Sequence, residues 1–401
     1  MCGIVGYWSR RGATEEAVAR LIEPILHRGP DDHGIWVDQD AGIGLGHRRL
    51  SIVDLSPAGH EPMVSDSGRL IVTYNGEIYN HSAMRALLEQ QDHAPEGGWK
   101  GHSDIETFLH AIECWGLERA LAEAVGMFAF ALWDRKERRL RLVRDRFGEK
   151  PLYYGWAGGD FLFGSELKAL RRHPGFDHAV DRAALAAFAA RGYVPAPASI
   201  YRGIFKLEPG CVLILGAETR GSPLASPPVA DGPAVGGMQL SRYWSYAQVV
   251  RDGLADPIAD EVTALAALDD ALAAAVRGQS VADVPVGAFL SGGIDSSAVT
   301  ACYQKHSSIP VRTFSIGFEE AGFNEADYAK AVARHLGSLH NEHYVTVKEA
   351  QAVIPMLPGI YDEPFADSSQ IPTFLVSRFA REQVKVALTG DGGDELFGGY
   401  N

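Results

Sequence analysis

Val286-Gly287-Ala288-Phe289-Leu290 runs directly into Ser291-Gly292-Gly293-Ile294-Asp295-Ser296-Ser297, and a helical pattern follows to about His306. A short apolar strand, a glycine turn and a helix start let backbone N–H groups approach an anion, and the helix dipole favours negative charge there. Upstream lies an Ala/Leu-rich helix over Ala259–Gly278. Downstream come a strand Val311–Phe318, a helix Glu325–Leu336, a strand near His343–Val347 and a last strand Val384–Leu388. This alternation predicts a doubly wound parallel sheet, whose ligands sit beyond the carboxyl ends of the strands. The loop lacks the Gly-Lys-Ser/Thr ending of a Walker sequence, so it suits pyrophosphate better than a transferred γ-phosphate. Ser291, Gly292, Gly293, Asp295 and Ser296 are the expected nucleotide contacts.

Thr389-Gly390-Asp391-Gly392-Gly393-Asp394-Glu395 repeats the strategy after the last strand. Its spacing does not match an EF-hand. Asp295 and Asp394 are the metal candidates, because two carboxylates plus phosphate oxygens match the oxygen-only preference of Mg²⁺. The chain stops at Gly398-Gly399-Tyr400-Asn401, directly after this loop, and is therefore expected to be a fragment of a longer protein.

The first half reads differently. Strand signals fall at Gly3–Trp8, Gly42–Val53, Leu70–Tyr74, Met127–Trp133, Leu140–Arg144, Leu152–Trp156 and Asp160–Phe163. Helical patterns fall at Thr14–Leu26, His81–Gln90 with Asn80 as N-cap, and Asp104–Trp115, so stacked sheets between helices are expected rather than a parallel array. Residues 216–238 form a Gly/Pro/Ala/Ser mixture expected to be a mobile loop or linker. The expected organisation is one domain over 1–215, a loop or linker over 216–256, and a second domain over 257–401.

Composition bounds the function. Hydrophobic residues make up 46% of the 401 and charged residues 22%, which is globular, and the length calls for two domains. A formal charge of -14 argues against a nucleic-acid partner. No apolar stretch approaches the ~18 residues that span a bilayer, so no membrane role is expected and the protein reads as cytoplasmic. Four scattered cysteines give neither a disulfide framework nor a zinc set, and the 14 histidines form no recognisable ligand cluster.

Cys2 stands apart from the other cysteines. Removal of Met1 would give it both a thiol and an α-amine, and that amine can serve as the local base for thiolate attack. Asn75-Gly76 would ordinarily be a hairpin turn, but too few residues follow before His81 for a returning strand. A side-chain amide with a glycine N–H instead makes an oxyanion hole for a tetrahedral intermediate. Arg49 can clamp a carboxylate with its planar fork and Asp104 can hold an ammonium, which together describe an α-amino-acid substrate.

Met1-Cys2-Gly3-Ile4, His27-Arg28-Gly29-Pro30, Arg49-Leu50-Ser51-Ile52 and Asn75-Gly76-Glu77-Ile78-Tyr79-Asn80 resemble the class II glutamine amidotransferase domain. That family is similar in fold to the N-terminal-nucleophile hydrolases, an αββα sandwich. The resemblance implies glutamine hydrolysis through a thioester on Cys2. It also implies that Arg49, Leu50, Ser51, Ile52 and Val53, with Asn75, Gly76, Glu77 and Asp104, bind glutamine. The two glycine loops, in this order and spacing, resemble the asparagine synthetase family, whose synthetase domain belongs to the ATP pyrophosphatases. By that resemblance Leu290, Ile316, Thr389 and Gly390 contact ATP and Asp391 promotes acyl-adenylate formation. Some synthetases carry Glu at the position of Asp391, and Tyr361-Asp362-Glu363-Pro364-Phe365-Ala366-Asp367-Ser368-Ser369 matches one branch of the family only. These departures leave the acceptor carboxylate open; the default that the resemblance implies is aspartate, with another acid such as a sugar acid as the alternative. A glutaminase or regulatory module with an inactive synthetase half is the rival from another class. A homodimer is common in the family.

Overall fold

The structure is a computed structural model that describes residues 1–219, 224, 226–318 and 326–399. The chain divides into two compact units, Met1–Ala255 with Tyr361–Phe365, and Asp256–Ile360 with Ala366–Asn401.

In the first unit the strands are β1 (Gly3–Trp8), β2 (Asp32–Asp38), β3 (Ile43–Arg49), β4 (Met63–Val64), β5 (Leu70–Ile78), β6 (Gly126–Asp134), β7 (Arg139–Arg144), β8 (Tyr153–Ala157), β9 (Asp160–Gly164), β10 (Ile204–Lys206), β11 (Cys211–Leu215) and β12 (Met238–Arg242). Its helices are α1 (Glu15–Ile22), α2 (His81–Gln90), α3 (Asp104–Trp115), α4 (Leu117–Glu123), α5 (Leu167–Leu170), α6 (Arg182–Arg191) and α7 (Tyr246–Ala255). The strands form two antiparallel six-stranded sheets, ordered β10-β8-β9-β1-β3-β2 and β12-β11-β7-β6-β5-β4.

Side-chain alternation builds the layers. Ile4, Trp8, Ile43 and Leu45 of one sheet meet Ile71, Ala131, Trp133 and Leu142 of the other in a shared core. There the Trp8 and Trp133 rings pack edge to face at 5.1 Å. On the outer faces, Val72, Tyr74 and Phe130 pack under α2, α3 and α4, while Val5, Tyr7 and Leu162 pack under α1, α5 and α6. The result is the αββα sandwich expected of an N-terminal-nucleophile fold.

Several boundaries differ from the sequence reading, each for a local reason. The strand expected over Gly42–Val53 ends at Arg49. The strand expected to stop at Tyr74 continues to Ile78, paired with β6 throughout, so Asn75-Gly76 is extended strand and not a turn. The helix expected over Thr14–Leu26 breaks at Ile22, and a 3-10 turn over Glu23–Arg28 takes its place because Pro24 has no N–H to donate. Asn80 precedes α2 without capping it; its side chain instead donates to Glu123 O at 2.9 Å and accepts from Val125 N at 2.8 Å. The 216–256 stretch contributes β12, paired with β11, and α7 to the first unit. Leu224 and Ala230 pack against the shared core, so these described residues of the Gly/Pro-rich stretch are not a free linker.

The second unit has α8 (Glu261–Gln279), β13 (Val286–Phe289), α9 (Ile294–His306), β14 (Arg312–Phe318), α10 (Ala326–Leu336), β15 (Leu339–Val345), α11 (Val347–Val353), α12 (Leu357–Ile360), α13 (Gln370–Ala380), β16 (Val386–Leu388) and α14 (Gly393–Phe397). Its four strands are all parallel, in the order β15-β14-β13-β16. Ala288 and Leu388 pack with Ala273, Val276 and Cys302 of α8 and α9. Phe314 packs with Ala380 on the α13 side. Helices cover both faces, so the sheet is doubly wound as expected. Chain order reverses between β13 and β16, which makes the carboxyl ends of those two strands the topological switch point. Glu325, the expected start of α10, lies outside the described residues, as do Tyr400 and Asn401.

Candidate functional site

Cys2 leads into β1, and the first turn of loop after β3 closes over its thiol. Leu50 N donates to Cys2 Sγ at 3.4 Å, while the thiol lies 3.7 Å from Leu50 O. The early end of β3 at Arg49 is what frees this backbone, and Ser51 N is tied down by Asp31 Oδ2 at 2.9 Å. With Met1 attached, burial pushes the thiol up to about 11 and the nearby Glu61 carboxyl adds to the shift. The same burial draws the Met1 amine down to about 6.

The period of two along β5 aims Asn75 at the same region. Ile71 belongs to the inter-sheet core and Thr73 Oγ1 donates to Gly46 O of β3 at 3.2 Å, so Asn75 faces the opposing sheet as well. It is 1% exposed, and neither its Nδ2 nor its Oδ1 has a hydrogen-bond partner. A buried amide with both ends unused costs stability unless water or a bound molecule engages it. Beside it, Gly76 runs so close to Met127 O that a Cβ would collide with that carbonyl.

Arg49 and Asp104, the two residues expected to clamp a substrate, are placed by buried contacts. Arg49 donates through Nη1 to Ser56 O at 3.0 Å and through Nη2 to Asp54 O. Gly59 leaves room for its guanidinium, which a Cβ there would strike. Asp104 starts α3, whose N-cap Ser103 accepts from Glu106 N at 3.3 Å. Its Oδ2 accepts from Tyr74 Oη and Ile78 N, both at 2.9 Å. Burial raises its carboxyl, and the same desolvation carries Glu77 up to about 7, with Asp104 adding its charge. Ile52 and Val53 continue the loop and are half-buried.

Sequence reasoning missed four neighbours. Glu61 accepts from Tyr74 N at 2.7 Å, and its other oxygen lies 3.5 Å from His47 Nε2. His47 bonds Tyr74 O at 3.0 Å, and burial holds it neutral down to about 3. Arg28 donates through Nε to Cys2 O at 2.8 Å. Lys150 is buried with its Nζ 2.8 Å from Met127 Sδ. For Arg28 the His27-Arg28-Gly29-Pro30 run was the available signal; the other three carry none in spacing or periodicity.

In the second unit both glycine loops stand at the switch point and touch. A Cβ on Gly390 would lie 2.7 Å from Ser296 N, and one on Gly393 would strike the Asp295 carboxylate. Ser291 and Ser296 share a hydroxyl contact of 2.9 Å, which with Gly293 N on Ser291 Oγ at 3.3 Å shapes the first turn. Gly292 holds φ +85 against the start of α10, where a Cβ would meet Ala329 N at 2.7 Å. Asp394 is raised by partial desolvation and by the neighbouring Asp295 and Glu395 carboxyls. Asp391 is exposed, with its N–H on Thr389 Oγ1 at 3.3 Å. Leu290 is buried against Ala329 and Ala333, and Ile316 packs partly against Val345 and Leu375. Among the described residues no group of three or more His, Cys, Asp or Glu could hold a metal, so a cation would rest on the two carboxylates and a ligand's own oxygens. Mutually repelling Asp295 and Asp394 fit that role. No helix among the described residues is long and apolar enough to cross a membrane.

Comparison with known proteins bears on the two units separately. The glutamine amidotransferase domain family matches residues 1–222, and the asparagine synthase family matches 267–401. A Mycobacterium tuberculosis protein provisionally named asparagine synthetase [glutamine-hydrolyzing] is 37% identical over 100% of this chain and 60% of its own length. Asparagine synthetase [glutamine-hydrolyzing] 1 of Bacillus subtilis is 34% identical over 100% of this chain and 59% of its own. The chain thus spans about 60% of the length of these relatives. Among solved structures, glutamine phosphoribosylpyrophosphate amidotransferase of B. subtilis aligns at a TM-score of 0.40 and 16% identity, over 85% of this chain and 65% of that one. The chain belongs to the family that joins a glutamine amidotransferase domain to an asparagine synthase domain.

Proposed function

We propose that this protein is a glutamine-hydrolysing, ATP-dependent asparagine synthetase. Glutamine is hydrolysed at Cys2, and the ammonia amidates an acyl-adenylate of aspartate, giving asparagine, glutamate, AMP and pyrophosphate. The observation that carries the reading is the buried Asn75 amide with both ends unpartnered, on the strand face opposite the sheet that holds Cys2.

Removal of Met1 places an α-amine on Cys2 itself. The neutral amine takes the thiol proton as sulfur attacks the glutamine side-chain carbonyl. Negative charge develops on that oxygen, where Asn75 Nδ2 and the Gly76 N–H stabilise it, and collapse of the intermediate releases ammonia and leaves a thioester for water to cleave. Arg49 holds the substrate α-carboxylate and Asp104 its α-ammonium, with Leu50, Ser51, Ile52, Val53 and Glu77 lining the rest.

In the other unit Ser291, Gly292, Gly293, Ser296, Thr389 and Gly390 hold the phosphates of ATP, and Leu290 and Ile316 pack beside the nucleoside. Mg²⁺, held by Asp295 and Asp394, would neutralise charge on the departing pyrophosphate. Asp391 positions the acceptor for adenylate formation. Ammonia kept from water stays unprotonated and undiluted, which is the physical case for coupling the two reactions.

Pyrophosphate release from ATP and aspartate tests the whole reading. The expected result is release with either glutamine or ammonia for the unaltered protein, and with ammonia alone for Cys2→Ala. Loss of both in Cys2→Ala argues against separate sites. Adenylation of a different acid in a screen replaces aspartate, and glutaminase without any pyrophosphate release reduces the protein to its first half-reaction.

A further inference from the structure

Tyr361–Phe365 are built into the first unit, whereas Ile360 before them and Ala366 after them belong to the second. The two acids in this short segment are consumed there. Glu363 accepts from Ile200 N at 2.7 Å, lies 2.5 Å from Lys206 Nζ and takes the Tyr153 hydroxyl at 3.3 Å. It fixes the segment in place. Asp362 does something else: its Oδ1 lies 3.4 Å from Lys168 Nζ, and that ammonium bonds Glu166 Oε2 at 2.6 Å. The other oxygen of Glu166 takes Arg28 Nη1 at 2.8 Å, with His27 at 3.1 Å, and Arg28 Nε donates to Cys2 O.

Four alternating charges therefore run from Asp362 to the residue that bears the thiol, and every one of these side chains is less than a fifth exposed. Charges so buried add little to stability, since apolar side chains of like volume would pack at least as well. Position is what they supply. Arg28 lies along the Cys2–Gly3 backbone, where a Cβ on Gly3 would sit 3.2 Å from its Cδ. Take away the Asp362 charge and the pull of Lys168 falls more heavily on Glu166, which weakens the hold of Glu166 on Arg28.

We propose that Asp362 and Lys168 are positioning residues for Cys2, acting through Glu166 and Arg28, so that a segment of the asparagine synthase half sets how readily glutamine is attacked. The proposal rests on Cys2 being the glutaminase nucleophile. Its test uses the full chain with Met1 removed, and reads two quantities: glutaminase kcat and KM, and the pH profile of Cys2 alkylation by iodoacetamide, followed on the N-terminal peptide by mass spectrometry. Asp362→Asn is expected to lower kcat about tenfold at nearly constant KM and to move the alkylation profile. Asp362→Glu should restore most of both. Lys168→Met should match Asp362→Asn, and the double variant should be no worse than either. An unmoved profile and unchanged kcat in Asp362→Asn overturn the proposal, as does a loss that tracks a lower melting temperature and that Glu does not rescue. Glutaminase surviving in Cys2→Ala would instead remove the reading of Cys2, a distinct outcome.

Discussion

The surroundings of Cys2 and the Ser291 loop are built in opposite ways. Around the thiol Asn75 and Arg49 on strands and Asp104 at the start of a helix are all buried, so their positions are fixed before anything binds. Around Ser291 the groups are presented outward; Ile294 at the start of α9 is 88% exposed, and Ser291, Gly293 and Asp391 lie open. Acyl chemistry on a thiol needs donors already aimed at a charge that exists only transiently, which requires rigid, dry surroundings. Holding a phosphate needs only a run of backbone N–H groups at a strand end, which a short loop supplies by itself.

The comparison breaks most visibly at Asn75. Asn75→Ala is expected to lower glutaminase kcat by about 10²- to 10³-fold with a small change in KM, the loss associated with one oxyanion donor. A rise in KM alone would make Asn75 a ground-state contact, and the buried site would then be no more committed to a transition state than the open one.

Arg49→Lys probes the clamp next. Losing the planar fork on a carboxylate removes about 1.5–3 kcal/mol, so KM for glutamine should rise by roughly 10- to 100-fold while ammonia-dependent pyrophosphate release stays intact. An equal effect on both reactions would place Arg49 outside the glutamine site.

Burial should also separate the units in acid. Unfolded His47 takes up a proton below about 6.5, whereas the folded residue resists until about 3, so the first unit loses stability as pH falls through that interval. Glu166 adds a second loss below its ordinary range: burial raises it, but the His27 bond and the Arg28 charge outweigh that and hold it at about 2. Between pH 6.5 and 5 the His47 contribution is about 2 kcal/mol. His47→Asn should be less stable at neutral pH yet lose less melting temperature on acidification, and parallel acid limbs would discount the argument.

The smallest effect concerns caps. Ser103→Ala and Asp260→Ala each remove an N-cap, and each should lower stability slightly in thermal or denaturant melts, the Ser103 change by about 1 kcal/mol. Only Ser103 precedes a clamp residue, so only its loss should raise KM for glutamine; the same shift from Asp260→Ala would mean that caps act through stability in both units.

The same contrast explains what the sequence displayed. The second unit's alternation, its loops and its doubly wound sheet were legible because strand, glycine turn and helix are contiguous in the chain. The surroundings of the thiol were legible in part: Cys2, Arg49, Asn75 and Asp104 stood out by residue type as candidates. Glu61, His47 and Lys150 do not, because their roles come from being buried beside residues far off in the chain. The pairing that carries β5 through Asn75-Gly76 to Ile78 is likewise tertiary, since β6 overrides the turn preference of that dipeptide. β12 was hidden by its Gly/Pro-rich approach.

The placement of Tyr361–Phe365 bears on how the molecule can be taken apart. A truncation after Ala255 removes the carboxylates that answer Lys168, Lys206 and the Ile200 amide. Such a piece would keep its sheets and Cys2, yet Lys168 would retain only the Glu166 carboxylate of its two ion pairs and Lys206 would lose its carboxylate partner. Cutting this chain at a point where it merely looks divisible would alter the half being isolated.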